Sequence, residues 1–232
     1  MPESLRLPGG IDVVWFVSYP PQRSVVHPKN ADVSHLVRAL KRMTADTGGD
    51  ATLLNRQCSL DTRTIRDALR WFGTIGALTT EMLYPRSPVV FVPIPDSASS
   101  CDAPSRPRAT RLAQAVVENM WTAAVICDCL RWKRRQLPSH QGGTRDRERL
   151  YRELCLTQAP KIGTLILVDD VVTTGAHIMA AATKLVTDAH IPCSRALCLA
   201  RAEPPGHHVF SIRQATLLPV PIAAYSVQRR AD

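Results

Sequence analysis

The stretch from Thr164 to His177 constrains the fold of this chain more than any other. It begins with apolar and β-branched residues that end at Val168, and two adjacent carboxylates follow, Asp169 and Asp170. A short threonine-containing turn then opens a segment with helical periodicity. A strand that turns directly into a helix is the repeating unit of a parallel α/β sheet, so that class of fold is predicted.

The turn after the two carboxylates has the composition of a phosphate site. Its residues are Val172, Thr173, Thr174, Gly175 and Ala176. Backbone N–H groups, threonine hydroxyls and the positive end of a helix dipole would surround one small volume. Carboxylates repel a phosphate, so their expected partners are ribose hydroxyls or a hydrated Mg²⁺. The stretch therefore predicts a site for a sugar phosphate.

A second strand and loop precede this stretch and support the same fold class. Val89 to Ile94 has the pattern of a buried strand. The loop after it contains small and polar residues, namely Pro95, Asp96, Ser97, Ala98 and Ser99. Ligand crevices form at the carboxyl ends of strands in open α/β sheets, and small residues leave backbone amides accessible. We therefore expect this loop beside the predicted phosphate site.

The acidic stretch resembles the phosphoribosyl pyrophosphate (PRPP) motif of type I phosphoribosyltransferases, on the residues Val168-Asp169-Asp170-Val171-Val172-Thr173-Thr174-Gly175-Ala176. A motif with both acids, both threonines and the glycine in order is far more specific than a lone glycine-rich loop. The resemblance implies an open, mostly parallel twisted sheet flanked by helices. It also implies that Asp169 and Asp170 bind the ribose hydroxyls and that Val172 to Ala176 hold the 5′-phosphate. Pro95 to Ser99 would bind pyrophosphate, and Mg²⁺ would be held through substrate and water.

The span from Pro88 to Glu203 resembles the ComF-like, competence-related branch of that family. The shared features are Pro93-Ile94-Pro95, Leu130-Arg131-Trp132-Lys133-Arg134, Gln141, Arg149 and Leu199-Ala200-Arg201. By this resemblance Arg131, Lys133 and Arg134 belong to a flap that closes over the pyrophosphate. Two departures are visible. The chain lacks the branch's N-terminal four-cysteine zinc module, and Arg106 to Thr110 replaces a glycine-containing phrase.

The acidic stretch has two other interpretations. Receiver domains of response regulators also place two acids after a strand, but they do so near the start of a doubly wound domain. Only residues 171 to 232 remain here, which is too short for the rest of such a domain. An ordinary capped helix is the other interpretation, and capping accounts for one polar residue but not for four.

Composition limits the partners and the compartment. The chain has 232 residues, 45% of them hydrophobic, a formal net charge of +9 and seven cysteines. The positive charge favours polyanions such as pyrophosphate-bearing substrates or nucleic acid. The cysteines are scattered without a Cys-x-x-Cys pair, so they are expected to be reduced packing residues. No signal peptide or membrane-spanning run is visible, and a cytoplasmic protein is the resulting expectation.

The organisation predicted is an N-terminal α/β extension over residues 1–86 that packs on a phosphoribosyltransferase-like core over residues 87–232. Ile11 to Ser18 is expected as a strand of the extension. Within the core, Ala123 to Leu130 is expected as one strand. The runs Val209 to Ile212 and Ala215 to Val220 are expected as strand-like near the C-terminus.

Two main functional hypotheses follow. The first is an enzyme that transfers ribosyl 5-phosphate from PRPP to a nitrogen acceptor, with Mg²⁺ and with release of pyrophosphate. The second is a non-catalytic PRPP or nucleotide sensor whose basic surface binds nucleic acid or a protein partner. Hydrolysis or other chemistry on a phosphate sugar is a third, weaker hypothesis. The acceptor stays open, and dimers are common among proteins that resemble this one.

Overall fold

Strands and helices alternate along the chain in the computed structural model, which describes residues 9–19, 37, 40, 50–53, 56–59, 64–85, 87–102, 107–137, 143–160, 163–203 and 210–218. The strands are β1 (Ile11–Tyr19), β2 (Asp50–Leu53), β3 (Arg56–Ser59), β4 (Val89–Pro93), β5 (Ala124–Ile126), β6 (Leu130–Trp132), β7 (Leu154–Leu156), β8 (Thr164–Val172), β9 (Arg195–Ala202) and β10 (Phe210–Leu217). The helices are α1 (Thr64–Leu83), α2 (Arg108–Val117), α3 (Arg147–Glu153) and α4 (Ala176–Ala189).

Six strands form the main sheet, in the order β10-β1-β9-β8-β4-β5. All neighbouring pairs in it are parallel except β1 with β10, which is antiparallel. Two smaller antiparallel ribbons join β2 to β3 and β6 to β7. The predicted α/β class with an open, mostly parallel sheet flanked by helices is therefore confirmed.

Helices cover both faces of the sheet around β4, a strand that is apolar in every position. All five residues of β4 are buried. Val89 and Phe91 point into the cluster that holds α1 and α2, whereas Val90 and Val92 point into the cluster that holds α4. Such continuous apolar runs are typical of parallel strands buried between two helical layers. The helices cover the faces of the sheet, and polar groups lie at its carboxyl edge.

The N-terminal strand belongs to the main sheet. β1 lies between β9 and β10 and runs parallel to β9. Phe16 on this strand packs edge-to-face against Trp71 and Phe72 of α1, with ring centroids 6.5 and 5.6 Å apart. Residues before the predicted boundary at 86/87 thus contribute a strand and a helix to the same layers as the later residues. The boundary itself stays a prediction.

Two predictions of strand bounds were wrong. The run Ala123 to Leu130 divides into β5 and β6, which lie in different sheets. The last hydrogen bond to β4 after β5 is donated by the Cys127 N–H to the Phe91 carbonyl. The Asp128 carboxylate then accepts hydrogen bonds from both terminal nitrogens of Arg131. This local ion pair turns the chain toward β7. Near the C-terminus the parts of the two predicted runs that lie within residues 210–217 belong to one strand, β10.

Several properties follow for the described residues. Cys101, Cys127, Cys129, Cys155, Cys193 and Cys198 are free thiols. In these ranges no helix has the length and apolarity to cross a bilayer. Gln141, one of the residues that carry the family resemblance, lies outside the described residues.

Candidate functional site

Asp169 and Asp170 occupy the last part of β8, before the strand ends at Val172. The backbone of Asp169 pairs with Cys198 on β9, and its Oδ1 accepts the N–H of Asp170 at 2.8 Å. Burial, together with the charges of both carboxylates, raises the pKa of the Cys198 thiol well above its ordinary value. The acid pair therefore lies over a neutral, buried thiol, with the Asp170 side chain only 15% exposed.

The turn after β8 leads into α4 as the sequence predicts. Thr173 and Thr174 are exposed, and Gly175 has a φ of 75°, in the left-handed region that glycine adopts without strain. Gly175 is the N-cap residue of α4 and makes no side-chain capping bond. The Thr174 hydroxyl accepts the Ala176 N–H at 3.4 Å, a long contact. Exposed hydroxyls beside a helix start form an arrangement that can hold an anion.

The loop after β4 lies beside this turn because β4 and β8 are neighbours, with Pro93 paired to Val168. Asp96 organises the loop, since its Oδ1 accepts the Ala98 N–H at 3.0 Å and the Ser99 hydroxyl at 2.9 Å. The Ser99 N–H donates to the Asp96 carbonyl at 3.0 Å. We expected accessible backbone amides in this loop, and this was wrong for Ala98 and Ser99, because both N–H groups donate to Asp96 within a turn.

Arg108 is the residue of this site that sequence reasoning missed. It begins α2, and its N–H lies 3.3 Å from Asp96 Oδ2. Its Nε lies 3.6 Å from the same Oδ2, and its Nη2 lies 3.7 Å from Asp170 Oδ2. One guanidinium thus links the loop after β4 to the acid pair of β8. The available signal was the basic phrase Arg106 to Thr110 in place of a glycine-containing one.

A buried aromatic contact connects the β6–β7 ribbon to the site. The indole N–H of Trp132 donates to the Pro95 carbonyl at 3.2 Å, and its backbone N–H donates to the Ser99 carbonyl at 3.0 Å. The same indole packs edge-to-face on His177 in the first turn of α4, with ring centroids 5.8 Å apart. Trp132 therefore holds the loop and the helix start in one arrangement.

Burial lowers the pKa of His177 below its ordinary value. The negative charge of Asp170 raises the pKa of this imidazole, and the positive charge of Arg145 lowers it, both by less than burial does. His177 is consequently neutral at pH 7. Its neutral ring adds no charge beside the turn from Val172 to Ala176.

The three predicted flap residues lie in different environments. Arg131 lies within β6 and forms an ion pair with Asp128, which raises the pKa of its guanidinium. Lys133 and Arg134 follow β6 and are exposed. The Lys133 N–H donates to the Glu153 carbonyl at the end of α3, at 2.7 Å. A flap that closes over pyrophosphate stays a prediction for these residues.

The donor set at the site is made of carboxylate and hydroxyl oxygens, which suit a hard cation such as Mg²⁺. Within the described ranges no group of three histidine, cysteine or acidic side chains is arranged to hold a metal ion.

Comparison with models of known protein families finds no family that matches the chain, and comparison with curated proteins finds no relative. The class that the fold defines is thus an α/β protein with an acidic pair, a threonine-containing turn and an arginine at the carboxyl edge of its sheet.

Proposed function

We propose that this chain is a PRPP-binding protein of the phosphoribosyltransferase type. It would transfer ribosyl 5-phosphate to a nitrogen acceptor and release pyrophosphate. The observation that supports this most is the proximity of Asp170, on the motif strand, to the loop that begins at Pro95 through their shared contact with Arg108. The two halves of a ribose-diphosphate site would then meet at one edge of the sheet.

Different residues of the site would bind different parts of PRPP. Asp169 and Asp170 would accept hydrogen bonds from the two ribose hydroxyls. The turn from Val172 to Ala176 would bind the 5′-phosphate through N–H groups and the threonine hydroxyls. The loop from Pro95 to Ser99 would face the diphosphate on C1. These positions would orient C1 of the ribose away from the sheet, toward the acceptor.

The reaction would form a bond between C1 and the acceptor nitrogen, using the nitrogen lone pair. The bond between C1 and the diphosphate oxygen breaks, and pyrophosphate leaves with that electron pair. The acceptor nitrogen loses a proton to solvent or to a nearby base. Positive charge develops on the ribose ring, so the carboxylates beneath it would stabilise the transition state. Mg²⁺ would supply neutralisation of the leaving diphosphate.

Calorimetric titration with PRPP and Mg²⁺ tests the assignment, with the wild type compared against the variant Asp169→Asn/Asp170→Asn. Each lost hydrogen bond to a charged carboxylate contributes about 1.5–3 kcal/mol, so the double variant should bind at least roughly 100-fold more weakly. Asp102→Asn is a matched control because Asp102 is exposed. Equal affinities for the wild type and the double variant would refute the site.

A second candidate, the non-catalytic sensor, is favoured by one contact. The hydrogen bond from Lys133 to Glu153 brings together two basic runs that are separate in sequence. We define the basic surface by its exposed members, Lys133, Arg134, Arg135, Arg149 and Arg152. Such a surface suits the phosphates of a nucleic acid.

Turnover and nucleic-acid binding distinguish the two candidates. Pyrophosphate release from PRPP across a panel of bases, abolished by Asp170→Asn, supports the enzyme. Binding of DNA or RNA that weakens steeply with salt, without turnover, supports the sensor. In that case Arg134→Gln/Arg135→Gln should reduce the slope of log affinity against log salt by roughly 1 to 2, since each lost phosphate contact removes about 0.7–0.9.

A further inference from the structure

Arg108 stands at the junction of two acidic elements. Asp96 belongs to the loop after β4, and Asp170 belongs to the end of β8. Because these strands are neighbours and parallel, their carboxyl ends bring the two carboxylates close together. The Asp96 carboxylate accepts the N–H that opens α2, which anchors Arg108 by its backbone. The guanidinium is thereby directed to the space between the two acids.

The side-chain contacts of Arg108 with these acids are electrostatic and open to exchange. The distances of 3.6 Å to Asp96 and 3.7 Å to Asp170 exceed those of hydrogen bonds. The arginine side chain is 35% exposed, whereas the two carboxylates are 17% and 15% exposed. The Arg108 side chain is thus the most exposed of the three, although its Nε and the Oδ2 of Asp170 are themselves buried.

Charge determines which ligands would engage this arginine. A ribose diol is neutral, and it offers the Arg108 guanidinium no anionic partner in place of Asp170. A diphosphate on C1 brings several negative charges, and a planar guanidinium pairs with phosphate oxygens through two parallel hydrogen bonds. Only a ligand that carries the diphosphate gains a strong contact with Arg108 when the ion pair between Arg108 and Asp170, at 3.7 Å, is displaced.

We propose that Arg108 is the specificity-determining residue that makes this site prefer ribose 5-phosphates carrying a diphosphate on C1 over ribose 5-phosphate itself. In the empty site it compensates Asp170. In the occupied site the ribose hydroxyls take over Asp170, and Arg108 contacts the diphosphate. This inference rests on the proposed ribose-phosphate function and adds to it a residue that chooses the ligand.

Titration calorimetry with two probes, PRPP and ribose 5-phosphate, each with Mg²⁺, tests the inference. The wild type should bind PRPP at least roughly 10-fold more tightly than ribose 5-phosphate. Arg108→Gln should lose roughly 10- to 150-fold in PRPP affinity, the range of a charge-assisted hydrogen bond. Its affinity for ribose 5-phosphate should stay within about 3-fold, because that ligand makes no bond to Arg108.

Two further variants control for charge and folding. Arg111→Gln removes an exposed arginine from the same helix and should bind both probes as the wild type does. Arg108→Lys keeps the charge but not the planar fork, so its preference for PRPP should be intermediate. If thermal unfolding shows that Arg108→Gln does not fold, the lysine variant carries the test, and an unchanged preference there overturns the inference.

The outcomes separate this inference from the proposed function. Wild-type binding of both probes with equal affinity overturns the role of Arg108 but leaves a ribose-phosphate site. An equal loss of both probes in Arg108→Gln also overturns it, since that pattern is structural. Wild-type binding of neither probe overturns the proposed function together with the inference.

Discussion

Substitution of Gly175 by alanine should destabilise the protein through two separable effects. Gly175 has a φ of 75°, where a side chain costs about 1–2 kcal/mol. A Cβ built on Gly175 would also lie 2.3 Å from Cδ1 of Leu217, so that side chain would have to leave its rotamer, at about 0.5–1.5 kcal/mol. Alanine also lowers the conformational entropy of the unfolded chain, which stabilises the folded protein by about 0.4–1 kcal/mol.

The sum is a loss of about 0.5–3 kcal/mol in the free energy of unfolding. For a chain of this size each kcal/mol corresponds to about 2–4 °C, so Tm should fall by about 1–12 °C. Urea unfolding followed by circular dichroism measures the free energy, and calorimetry measures Tm. Gly9→Ala is the matched control, because nothing lies within 4 Å of a Cβ at that position.

A double-mutant cycle with Leu217→Ala separates the two effects. In the Leu217→Ala background the obstructing side chain is gone, so the Gly175 substitution should cost only the backbone strain less the entropy gain, about 0–1.6 kcal/mol. An equal cost in both backgrounds would refute the contact with Leu217. Unchanged stability in Gly175→Ala alone would refute the left-handed conformation of the turn, and with it the open geometry proposed for the phosphate.

Two other changes give contrasting stability effects. Gly73→Ala places alanine in the middle of α1, where it normally favours the helix, but its Cβ would lie 2.2 Å from the Ala115 carbonyl oxygen, so unfolding measurements should show a loss of about 1–3 kcal/mol. The pKa of His177 is lowered in the folded state, so the unfolded chain takes up the proton first as pH falls. Stability should therefore be complete above about pH 6.5 and decline as pH falls through that value, and Tm should change less with pH in His177→Gln than in the wild type. The same pH dependence in both proteins would contradict the burial of His177.

The acidic stretch could be predicted from the sequence because its structure is local. Apolar residues up to Val168, two acids and a turn with Gly175 specify a strand, a strand end and a helix start within a few residues. The helical segment predicted after the turn is confirmed as α4 (Ala176–Ala189). Burial of β4 also followed from its continuous apolar run.

The single strand predicted from Ala123 to Leu130 failed for a non-local reason. Every residue in that run is compatible with an extended strand, so periodicity gives no sign of an interruption. The end of β5 is set by the separate ribbon that β6 makes with β7, and by the local pair of Asp128 with Arg131. Pairing partners distant in sequence decide such bounds.

The sequence by itself determined the local chemistry of the site: two carboxylates, two threonines and a glycine in a strand–turn–helix unit. Only the tertiary structure decided which other residue meets them. Arg108 lies 62 positions before Asp170, yet their side chains are 3.7 Å apart. The reason is that parallel neighbours β4 and β8 bring their carboxyl ends to one edge, and that closeness is a property of sheet order, which residue pattern alone does not encode.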